Sequence, residues 1–169
     1  MRAIGFSLAL SLMTLAAAQP AAEPVKTFAS SADIAALAAK AKSDHKEGQP
    51  TVIEPILRLA PYAANLEYRS AVGPAAVHEK EAEMFYVLDG SATLTTGGKL
   101  VNEKRTNADN LTGTGITGGT ERRVSKGDVI MVPENTPHWF SDIESDQIVY
   151  LVIRIDPHRV LPAGYGAKP

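Results

Sequence analysis

The chain is 169 residues long, 44% apolar and 21% charged, with a formal net charge of −2 and no cysteine. That length suits one domain with a sizeable core. The charge argues against a nucleic-acid surface, and the missing thiols exclude Cys nucleophiles, Cys-ligated zinc and disulfides. Any metal must be held by nitrogen and oxygen ligands.

Read in chain order, Arg2, the apolar stretch Ile4 to Leu15 and Ala16-Ala17-Ala18 have the n-, h- and c-region order of a secretory signal peptide. The apolar stretch is too short to span a bilayer. Cleavage is expected near Ala18-Gln19, giving a periplasmic or secreted protein with no membrane span. Removing residues 1–18 takes away one Arg and no acid, so the net charge falls from −2 to −3.

Residues 19–50 read as an extension with one helix. Ser30 or Ser31 can cap a helix over Ala32 to Lys42, with Ile34, Leu37, Ala38 and Ala41 at helical spacing. Gly48 and Pro50 break it, and His45 is expected to be a solvated loop residue.

From residue 51 to about 160 the pattern is one of short strands between turn signals. Strands are expected at 52–59, 64–70, 76–77, 84–88, 91–96, 121–124, 128–132, 138–140 and 148–155, with 161–169 as a tail. Asp89-Gly90 suits a tight hairpin turn, and Ser125-Lys126-Gly127 a second one. Ile148 to Ile153 is apolar on both faces, as befits a strand covered on both sides. Residues 97–120 are rich in Gly, Thr and Asn. They read as a long surface excursion or as a lid or dimer-contact loop. Gly113 to Gly118 spells G-x-G-x-x-G, but turn and strand signals follow it instead of a helix, so a dinucleotide site is rejected.

The chemistry concentrates in two stretches. In Gly73 to Gly90, His78 and Glu83 precede the apolar run Met84 to Leu88; Gly127 to Phe140 contains Pro133 and His138. Glu83, Phe85 and Val87 point one way from a strand. A carboxylate facing a core needs a partner, and a cation is one. The competing readings are bland: His138 as a hydrogen-bonded rim residue, Glu83 paired with Lys80, Arg122 or Arg123, and His78 on a solvated edge. Glu79 and Glu81 are expected to face solvent, although either could substitute as a ligand. Tyr62, Tyr68 and Arg69 lie on early strands that could line a mouth, and Arg154 could bind an anionic group. Ser, His and Asp are present without a G-x-S-x-G elbow, so no hydrolase triad is read. His158 belongs to a solvated tail.

The two stretches resemble the paired motifs of the cupin family, G-x5-H-x-H-x3–4-E-x6-G and G-x5-P-x-G-x2-H-x3-N. His78, Glu83 and Gly90 match the first; Gly127, Pro133 and His138 match the second. Ala76 stands where the first motif has its earlier histidine, Asn135 replaces the inner glycine and Asp142 the final asparagine.

The resemblance implies an all-β double-stranded β-helix, a jelly-roll barrel with a short N-terminal helix, and a homodimer. It also implies one divalent metal (Fe, Mn, Zn or Ni) held by His78, Glu83 and His138. Two imidazoles and one carboxylate leave coordination positions open. Three functions stay open. The first is a metal-dependent oxygenase, isomerase or lyase on a small organic molecule, with Glu81, Tyr68 or Arg69 as acid, base or anion clamp. The others are a non-catalytic module binding a metal or small molecule, and an interaction protein using the glycine-rich segment.

Overall fold

The computed structural model describes residues 24–162. The expected signal peptide and most of the expected tail lie outside the described residues. One helix, α1 (Ser31–Asp44), precedes β1 (Thr51–Leu59), β2 (Tyr62–Arg69), β3 (Ala75–His78) and β4 (Ala82–Thr96). There follow β5 (Lys99–Val101), β6 (Lys104–Arg105), β7 (Asn110–Gly113), β8 (Gly115–Thr117), β9 (Thr120–Ser125), β10 (Val129–Val132) and β11 (His138–Ile155). None of the described helices is long and apolar enough to cross a membrane.

Two long bent strands organise the rest. β4 and β11 pair antiparallel from Thr96↔His138 to Ala82↔Ile155, with register shifts between Ile143 and Ile148. On one side of the bend the order is β1-β2-β11-β4-β10; on the other it is β6-β7-β3-β11-β4-β9. The two layers close on Phe85, Val87, Ile130, Ile148, Tyr150 and Val152 from one and Ala92, Leu94, Val124 and Phe140 from the other. This is the all-β double-stranded β-helix that the motifs imply. Glu83, Phe85 and Val87 do share the inward face.

The bend corrects the expected hairpin at Asp89-Gly90. The two residues pair with Val149 and Ile148, so the expected strands on either side are one strand, β4. Gly90 has φ +81, and a Cβ there would lie 1.9 Å from the Gln147 carbonyl oxygen. Glycine therefore turns the strand at a barrel corner instead of reversing it. Likewise 138–140 and 148–155 are two ends of the single strand β11. At the other expected turn, Gly127 has φ +91 and the Asp128 amide bonds to the Ser125 carbonyl.

Helix α1 starts at Ser30 with a reciprocal capping box to Asp33. Its apolar side, with Ile34, Leu37, Ala38 and Ala41, lies on Val52, Leu66, Tyr68 and Val149. The helix thus covers the second face of β11. His45, expected in solvent, is half-buried; its Nε2 is 2.7 Å from the Gln49 carbonyl and 2.6 Å from Ser70 Oγ.

Residues 97–120 are a second correction. They hold β5 to β8 where a long connection without strands was expected. β7 pairs with β3 and completes one layer, placing Asn110 opposite His78. Gly and Asn are depleted from strands, and the segment carries too little hydrophobic alternation to announce one. The G-x-G-x-x-G run falls on β7 and β8, with no helix after it.

Candidate metal centre

His78 ends β3, Glu83 is the second residue of β4 and His138 begins β11, so three strand ends deliver the three side chains to one place. One ligand atom from each lies within 4.8 Å of the others. His138 Nε2 is 3.1 Å from Glu83 Oε2, and His78 Nε2 is 3.4 Å from Glu83 Oε1. Glu83 is 3% exposed and His138 9%. Glu83 faces both histidines, and Lys80 pairs with Asp109 instead of Glu83.

The backs of both rings are tied. His78 Nδ1 lies 2.5 Å from Asn110 Oδ1, and the Asn110 amide is oriented by its own donation to Asn107 Oδ1 at 3.0 Å. His138 Nδ1 lies 3.1 Å from the Thr136 carbonyl oxygen. Both partners only accept, so each Nδ1 carries the proton and donates it. Each Nε2 is left to present either a second proton or a lone pair toward Glu83. Burial pushes the His78 ring below its ordinary value, against the pull of Glu83 and with help from Arg154 and His138, which favours the lone pair. Burial also pushes the Glu83 carboxyl up. The His138 hydrogen bond and the positive charge around it outweigh that and hold the carboxyl at about 2.

A neutral imidazole, an ionised carboxylate and anchored Nδ1–H groups are what a nitrogen–oxygen metal site needs. The donor set fits one divalent cation. Ala76 is the cross-strand partner of His138 and lines the same cavity, so no third imidazole enters. Asn135 adopts φ +54, as its place in the second motif requires, and its amide donates to the His78 carbonyl at 2.7 Å.

Arg154 is the cross-strand neighbour of Glu83. Its Nε lies 3.1 Å from Glu83 Oε1 without hydrogen-bond geometry, and its Nη2 is 3.5 Å from His78 Nε2. Its Nη1 reaches Glu81 Oε2 at 3.6 Å. Glu81 corrects an expectation: it is 5% exposed, not solvent-facing, and its buried Oε2 has no hydrogen-bond partner among the described residues. It backs Arg154 and lines no part of the cavity, so it is placed to position that guanidinium, not to exchange protons with a substrate. Burial raises its carboxyl despite Arg154. Glu79 pairs with Arg105 at 2.6 Å.

Tyr68 is a second correction. Strand alternation sends it to the opposite face, beneath α1 and against the His45 ring, so it cannot serve the cavity as acid or base. Tyr62 is exposed and away from the cavity. Arg69 does reach it.

The cavity holds about 350 Å³ and is walled by Phe85, Trp139 and Phe140. In its second polar group Arg69 was expected, and Glu67 and Tyr150 were not. The Tyr150 hydroxyl donates to Glu67 Oε2 at 2.6 Å and accepts from Arg69 Nε at 3.3 Å. Arg69 Nη2 lies 3.6 Å from Glu67, and the guanidinium sits 5.4 Å from the Phe140 ring centre. The signals were present: Glu67 and Arg69 are two apart on one strand face, and Tyr150 is the one polar side chain in the apolar run Ile148 to Ile153.

A barrel of two bent layers with a histidine–glutamate–histidine cluster at one end of its cavity defines the class. The family model described as Cupin matches residues 54–165. The chain belongs to the cupin family. No curated protein matches it. Among solved structures it is similar to an Fe(II) form of HppE (15% identity, TM-score 0.49), covering 63% of this chain and 52% of that one. It is also similar to KdgF from Halomonas sp. (19% identity, TM-score 0.46), covering 65% and 84%. A third likeness is to an RmlC-like cupin from Methanocaldococcus jannaschii (16% identity, TM-score 0.45), covering 67% and 87%. The chain thus spans about half the length of the first of these.

Proposed function

We propose that the chain binds one divalent metal ion (Fe, Mn, Zn or Ni) through His78, Glu83 and His138 and acts on a small organic molecule in the cavity, as an oxygenase, isomerase or lyase. The observation that carries this is the pair of tied Nδ1 atoms, which commits both Nε2 atoms to the Glu83 carboxylate. A metal there supplies Lewis acidity and open coordination positions. The protein's own part is to hold the ligand rings with Asn110 and Thr136, to wall the substrate with Phe85, Trp139 and Phe140, and to set charge with Arg69 and Arg154.

A specific observation favours the alternative, a non-catalytic module for a metal or small molecule. Arg154 already lies against Glu83, and Ala76 leaves the cluster one imidazole short. Trp139 is the only tryptophan and lines the cavity. Titrating Fe²⁺ or Mn²⁺ against its fluorescence therefore reports occupancy. Saturable quenching in the parent, absent from His78→Ala, supports the metal reading, and oxygen-uptake, isomerase and lyase screens on the loaded protein then separate enzyme from module. No response to either ion counts against the metal reading.

Export is part of the proposal, supported by the charge and apolar order of residues 1–18; N-terminal sequencing of secreted material tests it. A homodimer is supported by the outward row of Tyr86, Val129 and Met131, all exposed on the adjacent strands β4 and β10. A monomer mass in light scattering would count against it.

A further inference from the structure

We infer that Arg69, Tyr150 and Glu67 form a substrate subsite that takes a carboxylate with a hydroxyl or amino donor beside it. This deepens the reading of the cavity given above and rests on it. Arg69 is deeply placed, yet only its Nε makes a hydrogen bond among the described residues, to Tyr150. Its two terminal nitrogens make none; the contact of Nη2 with Glu67, at 3.6 Å, is an ion pair without a hydrogen bond. A guanidinium held at Nε, with no hydrogen bond on Nη1 and only the 3.6 Å ion pair on Nη2, still presents the planar fork that matches a carboxylate.

Three contacts keep that fork in place. Phe140 lies under it at 5.4 Å. Tyr150, 1% exposed, holds Nε. Gly73 leaves the space its Nη1 needs, since a Cβ at that position would lie 2.7 Å away. Replacing Gly73 would push the guanidinium off its seat.

Glu67 supplies the second half of the recognition. Tyr150 occupies Oε2, while Oε1 has no hydrogen-bond partner among the described residues and the side chain lines the cavity. An ionised carboxylate oxygen there accepts from an O–H or N–H of the ligand. Arg69 and Glu67 cancel each other's charge, so a bare anion gains less than a ligand that answers both groups. The site therefore prefers a hydroxy or amino acid to a plain carboxylic acid.

The other end of such a ligand points at the metal cluster. Phe85 connects the two ends, its ring 5.4 Å from Tyr150 and 6.1 Å from His138. A volume of about 350 Å³ accepts an acid of four to six carbons carrying a further oxygen group toward the cluster.

Calorimetric titration with L-malate, L-aspartate, succinate and D-glucose tests this, on Mn²⁺-loaded and on chelator-treated protein. The expected result is binding of malate or aspartate at least about tenfold tighter than succinate. D-glucose should not bind measurably. Arg69→Met should lose about tenfold or more of the acid affinity while its Mn²⁺ binding matches the parent. Glu67→Gln should erase the advantage of malate and aspartate over succinate, and it serves alone if Arg69→Met does not fold. Succinate binding as tightly as both other acids, D-glucose binding as well as they do, no acid binding, or full acid affinity in Arg69→Met would each overturn the subsite. Arg69-dependent acid binding by protein that takes up no Mn²⁺ would leave the subsite standing and sink the metal reading. Mn²⁺ uptake with no acid binding would do the reverse.

Discussion

The two polar ends of the cavity are built on opposite logic. At the metal end, Asn110 and Thr136 hold the ring backs, and one atom each from His78, Glu83 and His138 face one another. At the other end, Tyr150 satisfies Glu67 and Arg69 from within, so the charges are paired before anything binds. The first arrangement asks for a cation, and the second is complete as a structural element yet keeps a guanidinium fork and a carboxylate oxygen available. One end is therefore expected to respond to metal and the other only to stability and ligand.

Glu83→Ala should break the comparison most severely. It removes the shared carboxylate, abolishes metal binding and leaves Arg154 facing two imidazoles in a buried space. Loss of one partner from a buried charge cluster costs roughly 3–5 kcal/mol, which urea unfolding of the metal-free variant would show. A variant as stable as the parent would contradict the buried-network account.

Asn110→Ala leaves every ligand in place and frees the His78 ring. Metal affinity should fall about 10- to 100-fold, read by Trp139 fluorescence, with little change in the affinity of the Arg69 end. An unchanged metal affinity would mean that the hydrogen bond to His78 Nδ1 does not orient the ligand.

Tyr150→Phe probes the opposite end. The Glu67 oxygen loses its donor and Arg69 Nε its acceptor, costing about 1–3 kcal/mol, while metal affinity stays at the parent value. Equal loss of metal binding would show that the two ends are one unit.

Acid should separate the contributions further in chelator-treated protein. The His78 ring is held below its ordinary 6.5, so its contribution is complete above that pH and is lost as pH falls through the lowered folded value. Glu83 contributes above its ordinary 4.5 and loses that contribution as pH falls toward about 2. Melting temperature should thus decline in two stretches as pH falls. His78→Gln should remove only the upper one, and an unchanged upper decline in that variant would contradict the assignment.

How much of this was legible in the sequence depended on locality. The spacing of His78, Glu83 and Gly90, and of Gly127, Pro133 and His138, reflects strand lengths and turns of the barrel, so the three residues whose side chains cluster could be read directly. Inward alternation of Glu83, Phe85 and Val87 followed from strand geometry alone. Tyr68 went astray because alternation tells which residues share a face but not which face looks inward, and α1 takes that one. Gly90 was ambiguous because positive φ serves a hairpin turn and a strand corner equally; the distinction lies in the distant Gln147 carbonyl. The same distance hid Asn110, which reaches His78 only because a polar segment forms β7, and Glu67, whose partner Tyr150 lies 83 residues away.

The most direct test of the central claim is metal content by mass spectrometry of residues 19–169, purified without tag or chelator, beside His78→Ala and His138→Ala. The account predicts close to one divalent ion per chain in the parent and none in either variant. A parent that holds no metal after reconstitution with Fe²⁺, Mn²⁺, Zn²⁺ and Ni²⁺ would contradict it.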